Sequence, residues 1–229
     1  MPISFDSVSN SGEVNSGMPP FEISWSHTCA GTDRLLVVGV AMTDPTNTIA
    51  SITYNGVALT KIREEVNTND NLVSLWYLTN PASGANTILV TVNTSFTNGV
   101  GMAVSLTGVD QTSPLDANNG TSADLANSVS VDVTTVADNC WVVDVVIAKT
   151  GGGTFTVGAG QTSRATVESV SADRGMSTEG PKTPAGAVTM SWDESGGMPS
   201  DNWSIAAASF KPVGVAAAGQ DLRPLLGVS

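Results

Sequence analysis

The sequence predicts an all-β protein, an antiparallel two-sheet β-sandwich of jelly-roll type with an internal duplication. Three observations predict it. Helical spacing is nearly absent, because few windows place apolar residues at i, i+3, i+4 and i+7, whereas alternation and short apolar runs recur throughout. Charge is scarce: Asp, Glu, Lys and Arg make up 13% of the 229 residues, against 41% hydrophobic. Ser, Thr, Asn and Gly fill the difference, as in strands and turns that meet water without salt bridges. Finally, several segments of the first half return, in order, in the second.

The strands can be justified in turn. FEISWSHTC (residues 21–29) alternates, and RLLVVGVAM (34–42) is almost continuously apolar, as in a strand covered on both faces. ITYNGVALTKI (52–62) carries Asn55-Gly56 between two β-rich arms, the best short-range hairpin signal. LVSLWYLT (72–79) and TILVTVN (87–93) flank a turn at Pro81 to Gly84, and VGMAVSLTGV (100–109) follows. The polar stretch 110–127, with Pro114, Gly120 and several Asn and Ser residues, reads as a long connection. SVSVDVTTV (128–136), CWVVDVVIA (140–148), TFTVGAG (154–160), TSRATVESVSA (162–172), AVTMSW (187–192) and NWSIAAASFKPV (202–213) complete the pattern.

Side by side, Asp33 followed by LLVVGV echoes Asp138 followed by CWVVDVV, which sets Leu35 beside Cys140. GVALT (56–60) echoes GAGQT (158–162), and the segments from Pro81 and Gly101 echo those from Pro181 and Trp203. The offset is always about 100 to 105 residues. The half-repeats span about 21–109 and 128–213, within one domain over 1–213. Two small sandwiches in tandem would satisfy this pattern. A single sandwich with interleaved halves is favoured, because the runs at 35–40 and 142–147 want neighbours on both sides. Residues 214–229 have no strand period, and Leu222, Leu225, Leu226 and Val228 form an apolar cluster expected to bind a partner subunit.

A net charge of -12 with only nine Lys and Arg excludes the basic face that nucleic acid or an anionic membrane surface requires. No apolar run reaches the roughly 18 residues of a membrane-spanning helix, and the N-terminal segment has no basic and apolar leader pattern. Cys29 and Cys140 read as two buried thiols packing as small hydrophobes, with a bridge between the halves as the alternative.

Candidates for chemistry are few. His27 is the only histidine, and in its alternating strand it reads as a surface or edge residue rather than a general base. Glu64 and Glu65, adjacent in a strand, read as solvated edge residues on opposite faces. Asp193, Glu194 and Asp201 gather on a glycine-rich loop whose oxygens could hold calcium, although the spacing is not that of an EF-hand, and no other cofactor is implied. Tyr77, Trp192 and Trp203 are the rings that would build a glycan-binding face, with core filling as the ordinary alternative.

ITYNGVALT followed by VSLWYLTNPASGANTILVTV resembles a β-sandwich module of phage virion structural proteins and of secreted bacterial adhesive proteins. The likeness is clearest over 33–109 and extends weakly to 213. It implies a non-enzymatic decoration, fibre or adhesive role. The expectation is therefore a structural protein on the surface of a phage-like virion, made in the host cytoplasm. It would be a homo-oligomer or bound to other capsid subunits through its C-terminal segment. An extracellular carbohydrate-binding module is the alternative.

Overall fold

A computed structural model describes residues 1–15, 21–43, 49–69, 71–149, 153–196 and 201–214. Among them there is no helix, and every strand pairing is antiparallel. The first half comprises β1 (Ser4–Asn10), β2 (Val14–Asn15), β3 (Glu22–Cys29), β4 (Leu35–Met42), β5 (Ile49–Tyr54), β6 (Val57–Ala58), β7 (Thr60–Asn67), β8 (Asn71–Thr79), β9 (Gly84–Val92) and β10 (Asn98–Thr107). The second comprises β11 (Leu115–Ala126), β12 (Ser128–Thr134), β13 (Cys140–Lys149), β14 (Thr154–Val157), β15 (Thr162–Val167), β16 (Ala172–Lys182), β17 (Ala187–Ser195) and β18 (Asp201–Phe210).

Each half builds a large and a small sheet. The first half orders them β1-β10-β4-β8-β7, with β2 added on β10, and β3-β9-β5-β6. The second orders them β11-β18-β13-β16-β15 and β12-β17-β14. Apart from the two-residue strands β2 and β6, the two orders coincide strand for strand. The β-sandwich class stands, but the interleaving does not, because no sheet mixes strands of the two halves. Each half packs its small sheet on one face of its large sheet, and the two large sheets pack back to back, giving four layers. Three hydrophobic cores fill the three gaps.

This layering explains the continuous apolar run of β4. Leu36, Val38 and Val40 face the small sheet, where they meet Ile23, Ile52, Ile88 and Val90. Leu35, Val37 and Ala41 face the opposite way and meet Val143, Val145 and Ile147 of β13. All eight residues of β4 are buried. The neighbours that such a run demands are layers above and below, not strands of an interleaved half. At the centre of the contact, Gly39 lies against Val145, and a Cβ at Gly39 would stand 2.7 Å from the valine side chain.

Two further expectations change. Residues 115–126 are not a connection but strand β11, the edge of the second large sheet, paired along β18. Its polar composition is that of a partly exposed edge next to β7 of the other half, where Arg63 hydrogen-bonds Asn118. The register of β4 on β13 is also displaced by one residue. Leu35 and Val37 share a face with Trp141 and Val143, not with Cys140 and Val142. A one-residue slip exchanges the two faces of a strand, so Asp144 occupies the place of Val38 and points at its own small sheet. The hairpin at Asn55-Gly56 forms as expected, with both residues at positive φ (50° and 77°) and Tyr54 paired to Val57, the geometry of a type I′ turn. Glu64 and Glu65 do lie on edge strand β7 but are only partly exposed, paired with Lys61 and Arg63.

The strands run the same way in both halves, so the molecule has two distinct poles. At one, the Met1 amine donates to the Val213 carbonyl at 3.3 Å, and Val109 bridges Pro212. The other carries the connections that follow β1, β4, β7, β9, β13, β15 and β17. There a polar seam closes the gap between the large sheets. Asn67 donates to Asp124 at 2.7 Å, Asn71 to the Asn202 carbonyl at 2.6 Å, and Ser204 to Asn71 at 2.6 Å. Fully buried Arg174 donates to Asn98 and, at 3.0 Å, to Glu13.

Candidate functional site

The most unusual chemistry sits between the large and small sheets of the second half. Alternation along β17 sends Trp192 and Glu194 inward and Asp193 outward. Asp193, Glu194 and Asp201 therefore do not converge: Asp193 is exposed on the outer face, while Glu194 and Asp201 turn into the sandwich. Asp173 of β16 takes the third place. The three carboxyls cap the apolar core at the pole opposite the N-terminus, with Asp173 0%, Asp201 1% and Glu194 8% exposed.

Glu194 Oε1 accepts the Gly153 N–H at 2.9 Å, and Asp173 Oδ1 accepts the Ser169 N–H at 3.1 Å. Glu194 Oε2 is buried with no N–H or O–H donor. Its carboxyl instead meets those of Asp201 and Asp173. Burial, and then the Asp201 carboxylate beside it, push the Glu194 carboxyl up to about 7. Burial, and after it the charge of Asp173, also raise Asp201. Among the described residues no group of three or more His, Cys, Asp and Glu side chains is arranged to hold a metal ion, so the calcium site expected at Asp193, Glu194 and Asp201 is not formed by that set.

Below the cap lies an aromatic stack. Phe155 sits between Trp192 (4.8 Å) and Trp203 (5.3 Å), with interplanar angles of 27° and 18°. Both tryptophans are fully buried. Their indole N–H groups donate inward, Trp192 to Asp144 and Trp203 to the Ala126 carbonyl, each at 2.8 Å. Tyr77 is half-buried between the two large sheets, 6.2 Å from Phe210. The three rings do not share a surface, so the glycan platform expected from Tyr77, Trp192 and Trp203 is not built by them. The inward parity of β17 and β18 is the reason for the tryptophans.

Deeper still, Asp144 is completely buried. Its Oδ1 accepts the Ser177 N–H at 2.7 Å, and its Oδ2 accepts the Trp192 indole and, at 3.4 Å, the Gln161 amide. Gln161 also donates to Ser177 Oγ at 2.8 Å and accepts the Ser191 N–H at 2.7 Å. The carboxyl faces donors but no cation, and burial pushes it up to about 6.

His27 is not a surface residue. It is 1% exposed because β3 turns Ile23, Trp25, His27 and Cys29 toward the first large sheet. Its Nδ1 lies 2.8 Å from Ser9 Oγ, which accepts the Trp25 indole N–H at 3.0 Å. The other ring nitrogen, Nε2, is buried without a hydrogen-bond partner among the described residues. Burial pushes the imidazole down to about 4, only slightly opposed by Asp6. The pair is a serine–histidine contact by distance, but the carboxylate that would orient such a base is elsewhere: Asp6 accepts from Ala30 N and Ser105 Oγ. Cys29 and Cys140 are both free and buried, which answers the question of a bridge between the halves. Leu222, Leu225, Leu226 and Val228 lie outside the described residues.

Asp144, Gln161 and Asp173 escape the sequence analysis, though one signal was visible. An aspartate in the middle of CWVVDVVIA sits in an apolar run where only a satisfied carboxyl is tolerated. No protein-family model matches the chain, and no curated protein or solved structure does so either.

Proposed function

We propose that this is a non-enzymatic structural protein of the surface of a phage-like virion, a capsid decoration or a fibre- or tail-associated subunit. It docks on a neighbouring subunit through residues 214–229. The observation that carries this reading is the polarity of the molecule. The N-terminus and the exit of β18 are hydrogen-bonded together at one pole, so the chain after β18 leaves from the pole that also holds the N-terminus, away from the polar seam at the other. An apolar C-terminal segment thus departs from the end opposite the one free to face outward. Four packed layers with low surface charge suit a rigid exposed spacer, and the net charge of -12 favours solubility over contact with nucleic acid. The matching strand orders of the two halves support descent from one duplicated sandwich unit.

The test compares the full chain with one ending at Val213, by light scattering and by binding to purified particles. Retained folding with lost assembly or particle binding supports the anchor. Identical behaviour of the two chains, both monomeric and both non-binding, refutes it.

A further inference from the structure

The three carboxyls at the pole of the second half opposite the N-terminus have no part in that structural role, and the inference drawn from them does not depend on it. They come from three different strands: Asp173 on β16, Glu194 on β17 and Asp201 on β18. Glu194 is the joint between them. Its Oε1 holds the Gly153 amide ahead of β14, and its buried Oε2, which receives no N–H or O–H, belongs to the carboxyl that meets Asp201. Two ionised carboxylates cannot share that space without repulsion, whereas one carboxylic acid donating to one carboxylate forms a short charge-assisted bond.

We propose that Glu194 and Asp201 share one proton, backed by Asp173, so that this pole of the second half is a clasp that closes in acid and loosens toward neutral pH.

Among the described residues, the charged groups on the neighbouring elements are directed away from the cluster or engaged with other groups. On β16, Arg174 faces the other side of the sheet and is paired with Glu13. On β13, alternation sets Lys149 on the face of Val145 and Ile147, away from the cluster, while Asp144 lies deeper, beneath Trp192. On β11, Asp124 accepts from Asn67. Before β16, Glu168 accepts the Phe155 N–H at 3.2 Å. Asp193 points outward. The direction of the titration agrees with this geometry: Glu194 and Asp201 are both raised, the former to about 7 from 4.5. A raised acid stabilises the closed form fully below its ordinary value. That stabilisation is lost as pH rises toward the folded value and is absent above it.

The experiment follows the full chain by hydrogen exchange, corrected for intrinsic rates, at Gly153 and at the ends of β17 and β18. The expected opening constant rises by about tenfold per pH unit between pH 5 and 7 and levels off above. Glu194→Gln keeps an acceptor for Gly153 and a permanent donor for Asp201, so its profile is expected to be flat and protected. The 13C shift of the Glu194 carboxyl in the unmodified chain, followed from pH 4 to 9, gives the same answer without a substitution. An ordinary glutamate titration, or a pH slope unchanged in Glu194→Gln, overturns the proposal. Recovery of protection at pH 8 on adding millimolar calcium also overturns it, because the cluster would then serve a cation rather than a proton.

Discussion

Asp144 provides the sharpest quantitative test of how the second half is built. Its carboxyl is completely buried and its folded value is about 6, against an ordinary 3.8. At about 1.4 kcal/mol per unit, the ionised form costs about 3 kcal/mol of stability. The sign follows from the direction. The unfolded chain gives up the proton near pH 4 and the folded chain only near 6. Stability therefore falls as pH rises through that window and is flat above it. Asp144→Asn removes the charge but not the shape. Its Oδ1 still accepts from Ser177, while its amide now opposes the Trp192 indole and the Gln161 amide, donor against donor, at a cost of about 1–3 kcal/mol. The variant should be less stable than the wild type at pH 4 and close to it at pH 7.5. Urea unfolding at half-unit pH steps measures the difference between the two chains, which cancels every other titrating group. That difference should move by about 3 kcal/mol in the variant's favour across the window. Parallel profiles would refute both the burial of an uncompensated carboxylate and the position of Asp144 on the inner face.

The other tests address the first half and the contact between the large sheets. Gly39→Ala drives a methyl to within 2.7 Å of Val145 and should cost about 1–3 kcal/mol, part of which Val145→Ala in the same chain restores; additive losses would show that the two residues do not meet. His27, pushed down to about 4 from 6.5, binds fewer protons when folded, so the first half loses stability as pH falls from 6.5 to 4, by about 3 kcal/mol in all. The stability difference between the wild type and His27→Gln in urea unfolding, which cancels the other titrating groups, should carry that change, and parallel pH profiles of the two chains would return His27 to the solvent.

The legible part of the fold was the part written in periodicity and turn chemistry. Alternation along residues 21–29 gave β3, the Asn55-Gly56 pair gave the hairpin, and the apolar run of β4 announced cover on both faces. What covers it was not legible, because a sheet of the other half and a strand of an interleaved half look the same to a valine. The polar composition of 115–126 concealed a strand, since half of an edge strand faces water and its pairing is backbone to backbone. The candidate site was legible in only two of its three acids. Glu194 and Asp201 were visible as neighbours of a glycine-rich loop, but parity removes Asp193, and Asp173 arrives from a strand 20 residues upstream of Asp193. The tryptophans misled because ring chemistry is the same on an exposed platform and in a core. Only the inward facing of β17 and β18 decides between them.

The same strand order does not produce the same interior. Where the first half places Val38, Trp76 and Leu59, the second places Asp144, Ser177 and Gln161. Where the second has Val133 facing its large sheet, the first has His27. The two halves thus titrate in opposite directions: acid weakens the first through His27, and the approach to neutral pH weakens the second through Asp144, Glu194 and Asp201. Between about pH 4 and 6.5 the slopes oppose each other, so whole-chain unfolding is flatter with pH than either half would be alone. A shared core between the large sheets ties the halves into one transition, and that tie masks the difference. It is visible only to probes that report locally, such as exchange of β3 amides against β17 amides, because local openings sample each sandwich separately.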